Sequence, residues 1–210
     1  MKPRKFNTLS VGITGGIGSG KTDVCKVFAS FGIPIIYADD LANQLIDSSK
    51  EIKKEIKKVF TEDVFLADGR LDRKKVASIV FRNQSLKNKL NSIVHPRVLS
   101  FIEKEINKIK KLGKYPMVVV EAALIYEAKS EKLFDYIIVV DAEEEKRIKR
   151  IMQRDNCSRE DVINRMKSQM PADIKVSRGD FVIDNSVSKT KLKQRSIFLF
   201  NLLKALAQNN

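Results

Sequence analysis

The chain has 210 residues, of which 43% are hydrophobic and 31% charged, an ordinary balance for a water-soluble globular domain with one good core. No apolar run approaches the roughly 18 residues of a membrane helix. Two cysteines, Cys25 and Cys157, and one histidine, His95, make a disulfide framework or a structural zinc site a poor reading. The net charge of +14 fits attraction to nucleotides or nucleic acid as well as it fits a lysine-rich solvated surface. Lysine is scattered, and few aromatics stand beside it, so a base-stacking platform is poorly supported.

In chain order, Met1-Lys2-Pro3-Arg4-Lys5 is basic, like the start of a signal peptide. The apolar run behind it is too short for a signal core, so a cytoplasmic protein with no removed segment is expected. Leu9 to Thr14 reads as a β-strand. It leads into Gly15-Gly16-Ile17-Gly18-Ser19-Gly20-Lys21-Thr22, which satisfies G-x-x-x-x-G-K-[ST]. A helix from Thr22 to Phe31 follows, with Val24, Val27, Phe28 and Phe31 at helical spacing. Strand, glycine loop and helix in that order are the context that confirms a phosphate-binding loop. Glycines let the backbone approach an anion, and successive amides form a concave nest at a positive helix terminus. Lys21 then serves the β- and γ-phosphates, and the Thr22 hydroxyl ligates Mg²⁺.

Ile33 to Tyr37 reads as a second strand. It ends at Ala38-Asp39-Asp40, where a helix begins with acids in its first turn. Ligands of open α/β sheets sit outside the carboxyl ends of the strands, which puts Asp39 and Asp40 at the edge shared with the loop. Either could equally be a helix cap. Helices are expected from Ile52 to Phe60, from Leu71 to Phe81, from about Ser85 to His95, and from Pro96 to about Leu112. The break at His95-Pro96 follows from the restriction that proline places on its predecessor. Residues of about 50–112 therefore read as a strand-free helical insertion.

Met117 to Glu121 and Tyr136 to Asp141 read as buried strands ending in acids, the pattern of a parallel sheet covered on both faces. A terminal acid of this kind can hold Mg²⁺ through water or orient a substrate. Ala142 to Asp155 is a basic helix with Arg147, Arg150 and Arg154 at i, i+3 and i+7. Ser158 and Asp161 suggest a capping box for the next helix, which carries Arg165 and Gln169. The helix pair reads as a lid whose arginines close over a transferring phosphoryl group. Phe181 to Ile183 is a last strand. A final helix, Lys189 to Ala207, places Leu192, Leu199, Leu203 and Leu206 on a core-facing stripe.

A GTPase would need Asn-Lys-x-Asp. The nearest strings, Asn88-Lys89-Leu90-Asn91 and Asn107-Lys108-Ile109-Lys110, lack the aspartate. A short chain with a helical insertion and an arginine lid suits a small-molecule kinase.

GITGGIGSGKT (Gly12 to Thr22), ADDLA (Ala38 to Ala42), GRLDR (Gly69 to Arg73), HPRV (His95 to Val98), ALIYE (Ala123 to Glu127), QRD (Gln153 to Asp155), RMKSQM (Arg165 to Met170) and VIDN (Val182 to Asn185) stand in a specific order and spacing. Over nearly the full length, the chain resembles the dephospho-CoA kinase family. The resemblance implies a five-stranded parallel sheet of the phosphate-loop kinase type, with helices on both faces. It implies a core of about 1–49, 113–141 and 173–210, an acceptor-binding insertion of about 50–112, and a lid of about 142–172. It implies transfer from ATP, with Mg²⁺, to the ribose 3′-hydroxyl of dephospho-CoA, with no nucleic acid or membrane partner, by a monomer or weak homo-oligomer. Asp39 would be the general base, with Lys21 and Arg150 as its catalytic companions. Gly15, Gly16, Ile17, Gly18, Ser19, Gly20, Lys21, Thr22, Arg150, Arg154 and Asn185 would hold ATP. Asp39, Arg73, His95 and Glu121 would face the acceptor, His95 having a helix-junction hydrogen bond as its equal alternative. Tyr37, Asn43, Glu121 and Ala123 depart from the residues usual in the family.

Overall fold

The computed structural model describes residues 6–60 and 63–209. The basic run Met1 to Lys5 lies outside them. Strands β1 (Leu9–Thr14), β2 (Ile35–Tyr37), β3 (Met117–Glu121), β4 (Tyr136–Asp141) and β5 (Phe181–Asp184) form one five-stranded sheet in the order β2-β3-β1-β4-β5. Its register runs parallel, with Val11 beside Val119 and Tyr136, and Val139 beside Val182. All six residues of β1 are buried. A strand buried on both faces needs helices on both, which is why β1, β3 and β4 read as near-continuous apolar runs.

Contacts fall into two compact units, one running to Ile36 and resuming at Glu105, the other Tyr37–Lys104. In the first, α1 (Lys21–Ser30) follows β1 through the glycine loop and packs on the last helix. Phe28 and Phe31 both meet Phe200 there, edge-on at 5.9 Å and stacked at 4.2 Å. On that last helix Leu192, Leu199 and Leu203 are buried as expected, together with Phe200 and Ala207, while Leu206 is half-buried.

In the second unit, α2 (Ala38–Ser48) and α3 (Lys50–Val59) pack on each other. The Ser49 hydroxyl accepts from Ile52 N and caps α3, while Ile52 and Ile56 are buried. Helix α4 (Arg73–Arg82) starts at Asp72, whose carboxylate accepts from Lys75 N at 3.0 Å. Where two helices meeting at Pro96 were expected, a single helix α5 (Gln84–Leu112) runs through the proline. Proline removes one amide and loosens the turn behind it. Beside the proline, Arg97 ties the turn to its surroundings, with Nη1 on Ile93 O at 2.6 Å and Nη2 on Glu55.

Back in the first unit, α6 (Glu144–Asp155) ends at Asn156, which takes the left-handed conformation at φ 48°. The expected capping box opens α7 (Arg159–Lys167): Ser158 Oγ accepts from Asp161 N, and the Asp161 carboxylate accepts from Ser158 N. A further helix, α8 (Ala172–Arg178), packs on β4, and α9 (Lys189–Asn209) is the last. No helix among the described residues is long and apolar enough to cross a membrane.

Candidate active site

The loop from Gly15 to Gly20 turns the chain from β1 into α1. Gly20 caps α1 in the left-handed region at φ 96°, and a Cβ there would fall 2.1 Å from Asn185 Nδ2. Backbone conformation and space therefore both exclude a side chain at the point where the helix amides emerge. Asn185, just past β5, donates from Nδ2 to Ser19 O at 2.7 Å. Arg150 of α6 bridges the same two segments, with Nη1 on Gly18 O at 3.3 Å and Nη2 on Asn185 O at 2.9 Å. Ile17 N donates to Gln169 Oε1 at 3.0 Å. The loop is thus braced from three sides by side chains distant in sequence, and a braced cup meets an anion without reorganising.

Lys21 Nζ folds back onto Gly15 O and Gly16 O, at 3.2 and 3.4 Å. Thr22 Oγ1 donates to Glu121 Oε1 at 3.2 Å. Glu121, expected on the acceptor side, therefore lies beside the hydroxyl assigned to Mg²⁺. It also touches Cys25, whose thiol is pushed far up, first by burial and then by the charge and hydrogen bond of Glu121. No cluster of three or more His, Cys, Asp or Glu suited to a metal occurs among the described residues. The hard oxygen pair of Thr22 and Glu121 is still consistent with Mg²⁺, which takes one or two protein ligands and completes its shell with water and phosphate.

Arg154, expected on ATP, bonds Asp155 at 2.7 and 3.0 Å, and Asp155 also accepts from Arg165 at 2.6 Å. The Arg154 hydrogen bond, with Arg165 behind it, draws the Asp155 carboxyl down to about 2 against the opposing effect of burial. This cluster closes the α6–α7 turn.

The second unit holds the remaining candidates. Asp39 and Asp40 are exposed in the first turn of α2, and the residue capping that helix is Tyr37. Among the described residues Asp39 has no hydrogen bond or ion pair, so its carboxylate is available. Arg73 grips α2 four and eight residues on from Asp39, with Nε on Asn43 Oδ1 at 2.8 Å and Nη2 on Asp47 Oδ2 at 2.5 Å. Burial pushes the Asp47 carboxyl up, but the bonds from Arg73 and Leu71 N outweigh it and hold the group below its usual range. His95 lies inside α5 rather than at a helix junction, and burial lowers its pKa, which favours the neutral ring.

Gln169 and Arg147 stand in the sequence reading as lid residues, without the contacts that the fold gives them, and one contributor escapes that reading. Lys175 of α8 is wholly buried, paired with Glu127 at 2.9 Å and donating to Ala123 O at 2.6 Å. Nothing in a lysine-rich sequence marks that lysine out. Arg147 is also buried, and its signal is the shared face with Arg150.

A family profile described as dephospho-CoA kinase matches residues 9–191. A dephospho-CoA kinase of Listeria monocytogenes is 36% identical over 186 residues, 89% of this chain and 92% of the relative. A crystal structure from Thermus thermophilus superposes with a TM-score of 0.79 at 31% identity, over 93% of this chain and 97% of that one. The dephospho-CoA kinase of Campylobacter jejuni gives 0.70 at 27% identity, over the same shares of the two chains, 93% and 97%. With the braced phosphate cup, its lysine and its five-stranded parallel sheet already in place, the profile and the relatives agree: this phosphotransferase belongs to the dephospho-CoA kinase family.

Proposed function

We propose that the chain moves the γ-phosphoryl group of ATP to the 3′-hydroxyl of the ribose of dephospho-CoA, yielding coenzyme A. The observation that carries this reading is the glycine cup with Lys21 and Thr22 at its mouth, braced by Arg150 and Asn185, in a chain of this family. Loop amides from Gly15 to Gly20 and Lys21 hold the donor phosphates. Thr22, with Glu121 beside it, holds Mg²⁺, which when bound offsets the charge building on the phosphate oxygens. Arg150 keeps the loop shaped and contributes positive charge. Asp39 accepts the proton of the attacking hydroxyl. An exposed carboxylate without a competing partner supports that role. Arg73 and His95 serve the acceptor side within a helical insertion, Arg73 by fixing the face of α2, and α6 with α7 forms the lid. The enzyme is a cytoplasmic monomer or weak homo-oligomer that needs no nucleic acid or membrane.

Incubation with MgATP and dephospho-CoA, followed by mass and phosphorus-NMR analysis of the product, tests this. One added phosphate on the 3′-oxygen and equimolar ADP are expected. Phosphorylation of nucleosides or nucleotides, with none of dephospho-CoA, would overturn the acceptor assignment.

A further inference from the structure

Arg147 is only 6% exposed, and it is the one arginine on its face of α6 with no partner for its side chain. Arg150 bonds Gly18 O and Asn185 O, and Arg154 bonds Asp155. The Arg147 backbone N–H makes its helical bond to Glu143 O at 3.0 Å. Among the described residues its guanidinium makes neither a hydrogen bond nor an ion pair, and Nε is buried unsatisfied. A buried guanidinium is ordinarily paired, because desolvating the charge without compensation is costly. The group is also placed at the phosphate cup. A Cβ on Gly16 would lie 2.1 Å from Arg147 Nη1, so the loop glycine has made room for the fork. Carbonyl acceptors occupy Arg150 in the resting protein, whereas Arg147 stands charged at the rim with all five N–H groups uncommitted.

We propose that Arg147 is a catalytic residue whose guanidinium binds the terminal phosphoryl group of the nucleotide donor. This rests on the kinase reading above. In the transfer, the bond from phosphorus to the β–γ bridging oxygen breaks and that oxygen leaves on ADP. The bond from phosphorus to the acceptor oxygen forms, and the hydroxyl proton passes to the carboxylate base. Negative charge spreads over the three equatorial oxygens meanwhile, and a planar fork of donors meets two of them at once, which an ammonium cannot do. The resting protein leaves Nε of this guanidinium buried without an acceptor, and the dianionic terminal phosphoryl group of ATP supplies acceptors to the fork.

That trade gives a test which a purely structural arginine would fail. Arg147→Met and Arg147→Lys are made in the full chain. Melting temperature is measured alone, with MgADP and with MgATP, and kcat and KM are measured with dephospho-CoA. Arg147→Met is expected to melt no lower than the parent without nucleotide and to keep the MgADP shift. It should lose most of the extra shift that MgATP gives over MgADP, and kcat should fall about 100-fold or more. Arg147→Lys should fall between, since it keeps the charge and loses the fork. Parental kcat and MgATP shift in Arg147→Met would overturn the proposal. So would a lower melting temperature with unchanged kcat, or failure of both variants to fold, each of which marks a structural brace. If the parent itself shows neither a MgATP shift nor turnover, the kinase reading falls and takes this proposal with it.

Discussion

Replacing Lys175 by methionine should be among the most damaging single changes outside the phosphate cup. The ammonium is fully buried between Glu127 Oε1 at 2.9 Å and Ala123 O at 2.6 Å, and the Glu127 side chain is 22% exposed. Methionine fills most of the space but leaves Glu127 with backbone amides alone as donors, its own and that of Met170 at 2.8 Å, and with Oε2 already unsatisfied. Breaking a buried pair from one side costs about 3–5 kcal/mol, which in a chain of this size lowers the melting temperature by roughly 6–20 °C. The pH dependence carries the diagnosis. In the parent, burial pushes the Glu127 carboxyl up, but the bonds from Lys175 and Met170 N prevail and hold it below its usual range. Its contribution is therefore complete above the ordinary carboxylate range and is lost as pH falls through the lowered value. In Lys175→Met burial prevails, the folded value rises above the unfolded one, and folding takes up a proton. The deficit relative to the parent should be largest at pH 7 and shrink toward pH 4. Urea denaturation at pH 7, 5.5 and 4.5 measures it, and Lys175→Met/Glu127→Gln should recover most of the loss. A deficit that is absent, or equal at all three pH values, would refute the reasoning.

Asp39→Asn should lower kcat by about 10²–10⁴ while leaving ATP affinity nearly intact, whereas Asp40→Asn should change neither quantity; steady-state kinetics with calorimetry of nucleotide binding separates the two. Asn185→Ala strips the buried donor from Ser19 O and should raise KM for ATP more than it lowers kcat, with a stability loss of about 1–3 kcal/mol by urea titration. Arg73→Ala should return the Asp47 carboxyl toward its ordinary range. The parent loses the Asp47 contribution as pH falls through the lowered value, so the variant should show a shallower acid decline between pH 5 and 3 in denaturation midpoints.

The cup, its flanking strand and helix, the buried strands and the α7 capping box were all legible, because each rests on local chemistry that a few neighbouring residues fully express. The run through Pro96 was not. Proline is a common helix breaker, and the bonds of Arg97 to Ile93 O and Glu55 that flank it in the fold are contacts that spacing cannot display. The pairing of Arg154 is hidden for a related reason. Helical periodicity gives the face, but not the bond to Asp155, adjacent in sequence and held again by Arg165. Glu121 was correctly seen as a strand-terminal acid, and its neighbour proved to be Thr22 because β3 lies directly beside β1 in the sheet. The bracing of the loop by Gln169 and Asn185 joins residues more than 150 positions apart. Only the folded chain reveals it.

The two cysteines differ in a way that serves spectroscopy. Cys25 is sealed beneath the cup with a thiol that resists ionisation, while Cys157 is half-exposed in the turn that joins α6 to α7. Thiolate-seeking dyes should therefore attach at Cys157 without any substitution, giving a native single-label handle. A fluorophore there would report, from the turn between the two helices, whether nucleotide changes the motion of this helix pair.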